Sequence, residues 1–172
     1  IDNLTATIVL ISILQKIANA KVIGAEIGST ELKFIPGNVE NLDLEADVGT
    51  AGSIPLILQV LIPVVAVSQK KLDLKIKGGT DVLWSPSIDY TQYVLREAYA
   101  RMGISFSFEL CKRGYYPKGG GEINLHIDSS NLKSISFSKR KTNKIKLICS
   151  FSKLEKEEIE NKVKKVVEKL TA

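Results

Sequence analysis

The sequence predicts an α/β protein of the α+β type, in which units of helix plus small sheet recur and a smaller α/β domain begins near the C-terminal end. Three observations carry this prediction. Helix-like and strand-like patterns alternate along the 172 residues. A shift of 50 residues aligns the chain with itself. A polar stretch rich in Ser, Lys and Asn, residues 128–143, then separates this region from a Lys/Glu-rich tail. The composition, 44% hydrophobic and 25% charged, can fill a core and excludes disorder, collagen-like repeats and a disulfide scaffold.

The elements follow from local chemistry. Asn3 can cap a helix from Leu4 to about Asn19. Strands are predicted near Val22–Ile27, Glu31–Ile35 and Leu42–Asp47. A second helix runs from Ser53 to about Val67, with Pro55 tolerated in its first turn and Pro63 expected to kink it. Leu72-Asp73-Leu74-Lys75-Ile76 alternates as a strand with one wet face. A third helix, Ile88 to Met102, is capped by Ser87 and stopped by Gly103. Ser105–Leu110 alternates again, and Glu122–Ile127 makes its hairpin partner. Helices covering one face of the sheet are the expected packing. Beyond the linker come a strand, Lys144–Phe151, and an amphipathic helix, Leu154–Leu170. Leu154, Ile159, Val163, Val166, Val167 and Leu170 form its apolar stripe, expected to be buried. The expected domains are therefore 1–127, a partial repeat core, and 128–172, linker plus part of a second unit.

The self-alignment sets Gly28-Ser29-Thr30-Glu31-Leu32 on Gly78-Gly79-Thr80-Asp81-Val82, and Phe34 and Pro36 on Trp84 and Pro86. Each copy reads as helix, strand, Gly-Thr-acid turn and an extended segment closed by proline. Gly, Thr and the acid have a local reason in such a turn, so the repeat is first a fold signal.

Charge is unevenly placed: residues 1–110 sum to −3 and residues 111–172 to +8. The basic part could neutralise nucleic-acid phosphates, or it is the solvated surface of a Lys/Glu helix. Cys111 and Cys149 have no metal-ligand partner pattern and read as buried reduced thiols of a cytoplasmic protein. The longest apolar run, Ile54 to Val67, is about one turn short of a bilayer span and contains Gln59 and Pro63, so no transmembrane helix is expected. Ile1 to Ala20 has neither the basic start nor the cleavage-like end of a signal peptide.

Four segments could carry chemistry. Asp47-Val48-Gly49-Thr50-Ala51-Gly52-Ser53 leads from strand to helix; it reads as an anion site or as a tight structural turn. Gln59 interrupts a helix apolar nearly all round, where a buried unpaired carboxamide would cost about 1–3 kcal/mol. A ligand or a neighbouring backbone carbonyl would satisfy it. Trp84–Tyr90 offers a proline ring, Pro86, and Tyr90 as a flat slot for a base, or is simply a Pro-Ser helix entry. Lys112–Gly121 interleaves Arg113, Tyr116 and Lys118 with glycines, a composition suited to a phosphate or single-stranded RNA, or to a decorated hairpin turn. His126, the only histidine, alternates in a strand and reads as structural; no Cys-His, Ser-His-Asp or metal cluster assembles from these residues.

Taken in order, Gly28-Ser29-Thr30-Glu31, Gly49–Ser53, Leu58-Gln59, Gly78-Gly79-Thr80-Asp81, Ser85-Pro86, Asp89-Tyr90 and Gly114–Gly121 resemble the RNA 3′-terminal phosphate cyclase family over about residues 13–127. The resemblance implies repeated units of small sheet and two helices, shared with enolpyruvyl transferases, and an inserted α/β domain starting near residue 128. It implies an ATP-dependent enzyme: a histidine takes AMP, passes it to the RNA 3′-phosphate, and the adjacent 2′-OH displaces AMP to leave a 2′,3′-cyclic phosphate, with a divalent metal (Mg or Mn) assisting. Gln59 looks like the ATP-contacting glutamine of the family, and Pro86 and Tyr90 like the lining of its adenine pocket. Arg113, Tyr116 and Lys118 are candidates for phosphate or RNA contact. The implied partners are ATP and an RNA 3′ end, with no membrane; a homo-oligomer is compatible with the sequence.

The chain also departs from the family. Its nucleophilic histidine lies in a C-terminal segment not present here, and His126 does not match it. The N-terminal glycine-rich segment, with its acidic metal ligand and arginines, is also lacking, and Asp2-Asn3 stands near where a Gln-His pair is expected. These departures imply the middle of a longer chain, without a complete active site of its own. The alternative is a non-catalytic relative that binds ribosomal RNA or ribosome-assembly partners. An enolpyruvyl-transferase-like enzyme is disfavoured, since Arg96, Arg101 and Arg113 are the matched core's only arginines.

Overall fold

The computed structural model describes residues 2–40, 42–136, 146–151 and 154–171. The chain divides into two compact units, Ile1–Ser136 and Phe137–Ala172. In the first, α1 (Asp2–Ile17) leads into a small antiparallel hairpin, β1 (Lys21–Ile23) and β2 (Lys33–Ile35). Then come β3 (Leu42–Asp47), α2 (Ile54–Val67), β4 (Leu72–Gly78), α3 (Ile88–Tyr90), a π-helical turn (Thr91–Leu95), α4 (Arg96–Arg101), β5 (Phe106–Lys112) and β6 (Gly121–Ile127).

β3, β4, β6 and β5 form one sheet in that order. β3 and β4 are parallel because α2 carries the chain back across the sheet. β6 returns antiparallel between β4 and β5. Strand alternation decides which face is dry. Leu72, Leu74 and Ile76 of β4 and Ile123, Leu125 and Ile127 of β6 are buried with Ile13 and Ile17 of α1 and Ile54, Ile57, Leu58, Leu61 and Ile62 of α2. Helices on one face of the sheet is therefore the observed packing. The outer side of α2 leaves Val60, Val64 and Val67 exposed.

Several expectations change. α1 begins at Asp2, so Asn3 lies inside the helix rather than capping it. The first two strands are short because Ser29 Oγ donates to the Glu31 carbonyl (2.7 Å) and turns the chain locally. The third helix is one run with a π-helical turn in its middle. The two copies share a helix followed by a strand but not pairing: β1 joins an exposed hairpin, whereas β4 is central to the main sheet. Both cysteines are exposed rather than buried, Cys111 at the point where the register of β5 shifts. The predicted linker starts within the first unit: the Lys133 N–H donates to the Met102 carbonyl (3.0 Å) and Ser130 is buried. No described helix is long and apolar enough to cross a membrane.

In the second unit α5 (Lys156–Thr171) is the described element. Residues 146–151 carry no strand, and residues 144 and 145 of the predicted one lie outside the described set. Leu154, Ile159 and Val163 are half-buried, but Val166, Val167 and Leu170 are exposed rather than buried. Among the described residues of this unit no strand lies against the helix to cover its whole stripe.

The open face of the sheet is polar. His126 on β6 faces Asp73 across the ladder (Nδ1 to Oδ1, 2.6 Å) and approaches Asp128 (Nε2 to Oδ1, 3.4 Å), which also pairs with Lys71 (3.1 Å). The hydrogen bond to Asp73, with help from Asp128, raises the His126 pKa above 6.5, against the opposing effect of burial. A raised folded-state pKa gives stability that is fully present below the unfolded value and lost as pH rises through the folded one. Relative to His126→Gln, the wild-type chain is expected to melt higher at about pH 5 and to lose that margin by about pH 9. A margin that does not change with pH in thermal melts would refute the role.

Candidate functional site

The parallel strands bring three loops to one edge of the sheet. The carboxyl ends of β3, β4 and β5 lie there with the start of β6, because Asp47 registers with Lys77, Gly78 with Gly121, and Lys112 with Glu122. Residues 48–53, 79–87 and 113–120 therefore meet at the edge where open α/β sheets commonly place ligands.

Hydrogen bonds lock the loops together. The Gly79 N–H donates to the Gly52 carbonyl and the Ile54 N–H to the Gly79 carbonyl, both at 2.8 Å. The Thr80 N–H donates to the Gly114 carbonyl (2.8 Å), while the Gly114 N–H donates to Thr80 Oγ1 (2.9 Å). Thr80 Oγ1 in turn donates to Asp81 Oδ2 (2.7 Å). Such close approach demands glycine. A β-carbon on Gly114 would lie 2.5 Å from the Gly78 carbonyl oxygen, and one on Gly119 would lie 2.6 Å from that of Thr50.

Arg113 is the electrostatic centre of the edge. Its guanidinium takes Asp89 in a two-pronged pair (both bonds 2.8 Å) and reaches Asp81 at 3.1 Å. The hydrogen bond to Asp89 and the two negative charges raise its pKa above the ordinary arginine value, with burial opposing. The predicted phosphate contact thus already has anionic partners, and its position makes it a clamp between the second and third loops. Tyr116 and Lys118, on the same loop, are exposed. A cleft of about 220 Å³ beside the clamp is lined by Ile88, Gln92, Tyr93, Phe108 and Leu110 together with Arg113 and Asp89.

The first loop resolves as a structural turn. Of the α2 N-terminal donors, Ile54 N–H goes to Gly79, Pro55 has none, and Leu56 N–H goes to Ser53 Oγ (3.2 Å). Ser53 Oγ donates to Ser85 Oγ (2.8 Å), tying the helix start to the segment that holds Pro86. This leaves little for an anion, whatever the glycine content suggests.

Gln59 is half-buried on α2 rather than sealed within it. Pro63, four residues on, has no N–H, so the Gln59 backbone carbonyl loses its helical donor. The Tyr99 hydroxyl supplies one from α4, at 3.4 Å. Burial first, and the nearby Tyr90 phenol second, raise the Tyr99 pKa and keep it a donor. The described hydrogen bonds thus occupy the backbone of Gln59, not its carboxamide. Tyr90 is exposed one turn after half-buried Pro86, and Ser87 caps between them, its Oγ accepting from the Tyr90 N–H (3.2 Å). α2 is linked to this segment at two levels, through Ser53–Ser85 and Gln59–Tyr99, while Arg113 sits on the loop across from it.

The sequence reading missed Thr80, Asp81 and Asp89 as parts of the site. The Gly-Thr-acid turn was explicable locally, and nothing in the sequence marked Thr80 as bonding thirty-four residues away.

These features define a small helix-covered sheet whose loops assemble at the strand carboxyl ends. A family model described as RNA 3′-terminal phosphate cyclase matches residues 5–171. Proteins named RNA 3′-terminal phosphate cyclase are 44% identical over 126 residues in Methanosarcina barkeri and 47% over 114 residues in Pyrococcus furiosus. These matches cover 73% and 66% of this chain, and 38% and 33% of the relatives. The relative of that name in Sulfolobus acidocaldarius is 53% identical over 110 residues, covering 63% of this chain and 32% of its own length. The chain belongs to the RNA 3′-terminal phosphate cyclase family. It spans about a third to two-fifths of the length of these relatives.

Proposed function

We propose that this chain supplies the nucleotide-contacting centre of an ATP-dependent enzyme that converts an RNA 3′-terminal phosphate to a 2′,3′-cyclic phosphate. The observation that carries the reading is the family membership joined to the placement of Gln59, which leaves its carboxamide outside the described hydrogen bonds. In this reading Gln59 hydrogen-bonds the adenine or ribose of ATP, and Pro86 and Tyr90 flank the base. Tyr116 and Lys118 meet the RNA end, and Arg113 positions their loop through Asp81 and Asp89.

The chemistry makes a poor leaving group into a good one. In the reaction proposed, a histidine attacks the α-phosphorus of ATP and pyrophosphate leaves. An oxygen of the RNA 3′-phosphate then attacks the AMP phosphorus and frees the histidine, and the neighbouring 2′-OH attacks the phosphorus of that 3′-phosphate, expelling AMP and losing its proton. What these residues contribute is orientation, which can supply about 7–11 kcal/mol in well-aligned reactions. For the divalent metal, no group of three or more His, Cys, Asp or Glu among the described residues could hold an ion, so no step is assigned to one. The second unit is read as the start of the inserted domain, and the location as cytoplasmic.

The test is incubation of the full-length protein with ATP labelled at the α-phosphate. Covalent AMP is expected, and Gln59→Ala should cut its rate about tenfold, the value of one lost hydrogen bond to a nucleotide, with unchanged melting. No labelled protein would instead favour a non-catalytic RNA-binding relative. Labelling that proceeds unchanged in Gln59→Ala would remove the glutamine from the site.

A further inference from the structure

Trp84 is the chain's single tryptophan and is 92% exposed. Its φ of +62° is a left-handed conformation that strains a residue with a β-carbon and is unusual for one this large. Tryptophan is ordinarily mostly buried, so this indole gives up both backbone ease and apolar cover. Its neighbour Leu83 is 75% exposed, so the tip as a whole finds no cover within the first unit.

The loop is nonetheless held firmly. Before Trp84, the Asp81 N–H donates to the Gly114 carbonyl (3.1 Å), and the Asp81 carboxylate pairs with Arg113. After it, Ser85 Oγ accepts from Ser53 Oγ and itself donates to the Pro86 carbonyl (3.0 Å). An isolated parallel bridge joins Asp81 to Tyr115, so the turns that follow these two residues start from one point. Trp84 stands three residues beyond the bridge on one segment; Tyr116, 64% exposed, stands one beyond on the other, and Lys118 is exposed two residues later. Exposed aromatic side chains on two turns that start from one bridge, with a lysine on one of them, suit unpaired bases joined by phosphates. Strain at an exposed aromatic points to a function in the same way.

We propose that Trp84 is a stacking platform for a base near the 3′ end of a single-stranded RNA, with Tyr116 and Lys118 alongside on the neighbouring segment. The proposal deepens the cyclase reading above and rests on it for the identity of the ligand. RNA rather than a protein partner is favoured by the lysine and by the family to which the chain belongs.

The experiment titrates the full-length protein with a 3′-phosphorylated single-stranded oligoribonucleotide, reading tryptophan fluorescence and the anisotropy of labelled RNA. Quenching that Trp84→Phe abolishes is expected. Trp84→Phe should hold RNA affinity within about twofold, and Trp84→Ala should lose about tenfold, as for one stacked base. Neither variant should alter AMP labelling. An indole shielded from acrylamide before RNA is added, as under a protein segment, would overturn the platform, as would wild-type affinity in Trp84→Ala. Quenching without AMP labelling would sustain the platform and defeat the cyclase reading; labelling without quenching would do the reverse.

Discussion

Arg113→Leu is expected to lower the stability of the first unit by about 2–3 kcal/mol, below the full cost of breaking a sealed ion pair because the group is partly wet. Arg113 is 27% exposed, and its partners Asp81 and Asp89 are 15% and 21% exposed. Removing the guanidinium leaves two carboxylates close together with little water, so the loss is mostly the penalty of uncompensated charge. Adding Asp89→Asn to Arg113→Leu should recover part of it, and the coupling can be read from a double-mutant cycle in urea. Arg113→Lys should recover less than its charge suggests, because an ammonium cannot reproduce the two-pronged bond to Asp89. Additive losses in the cycle would mean that the clamp does not hold the loops.

A second large effect is expected from Gly114→Ala. The new methyl would be pressed against the backbone of Gly121 and would lie 2.5 Å from the Gly78 carbonyl oxygen. Neither can yield like the end of a flexible side chain, because Gly78 and Gly121 are paired in the sheet register. The third loop must move away, taking with it the Thr80 bonds and the Arg113 clamp. The cost is about 3 kcal/mol at the upper end of overpacking, or a fall in melting temperature of roughly 6–12 °C for a chain of this size. A melting temperature within about 2 °C of wild type would show that the loops part freely.

Much of the architecture was legible because it follows from local pattern. Leu42–Asp47 is the observed strand, as predicted, and Leu72–Ile76 and Glu122–Ile127 lie within strands only a residue or two longer. Ser87 caps as expected, and Ser53, expected as the first residue of its helix, is the cap of α2. What failed were inferences in which distance decides. The Gly-Thr-acid turn looked local in both copies, yet only the second closes on Gly114. Gln59 looked buried because its neighbours in sequence are apolar. On the folded helix it lies half in water, and Pro63 and Tyr99 explain the bond that its backbone makes. The apolar stripe of α5 was real as a pattern, but a stripe does not say what covers it.

The order of motifs, the helix and strand periods and the hairpin partners are properties of neighbours along the chain. The sequence by itself therefore determined the fold class and the family to which this chain is similar. The choice of partners for Arg113, Thr80 and Asp89, and the turning outward of Trp84, were decided only by tertiary structure. The physical reason is range: a hydrogen bond or an ion pair is made or lost within a few tenths of an ångström. Which groups arrive at that distance is settled by the packing of α2 on the sheet and by the register of β4 against β6.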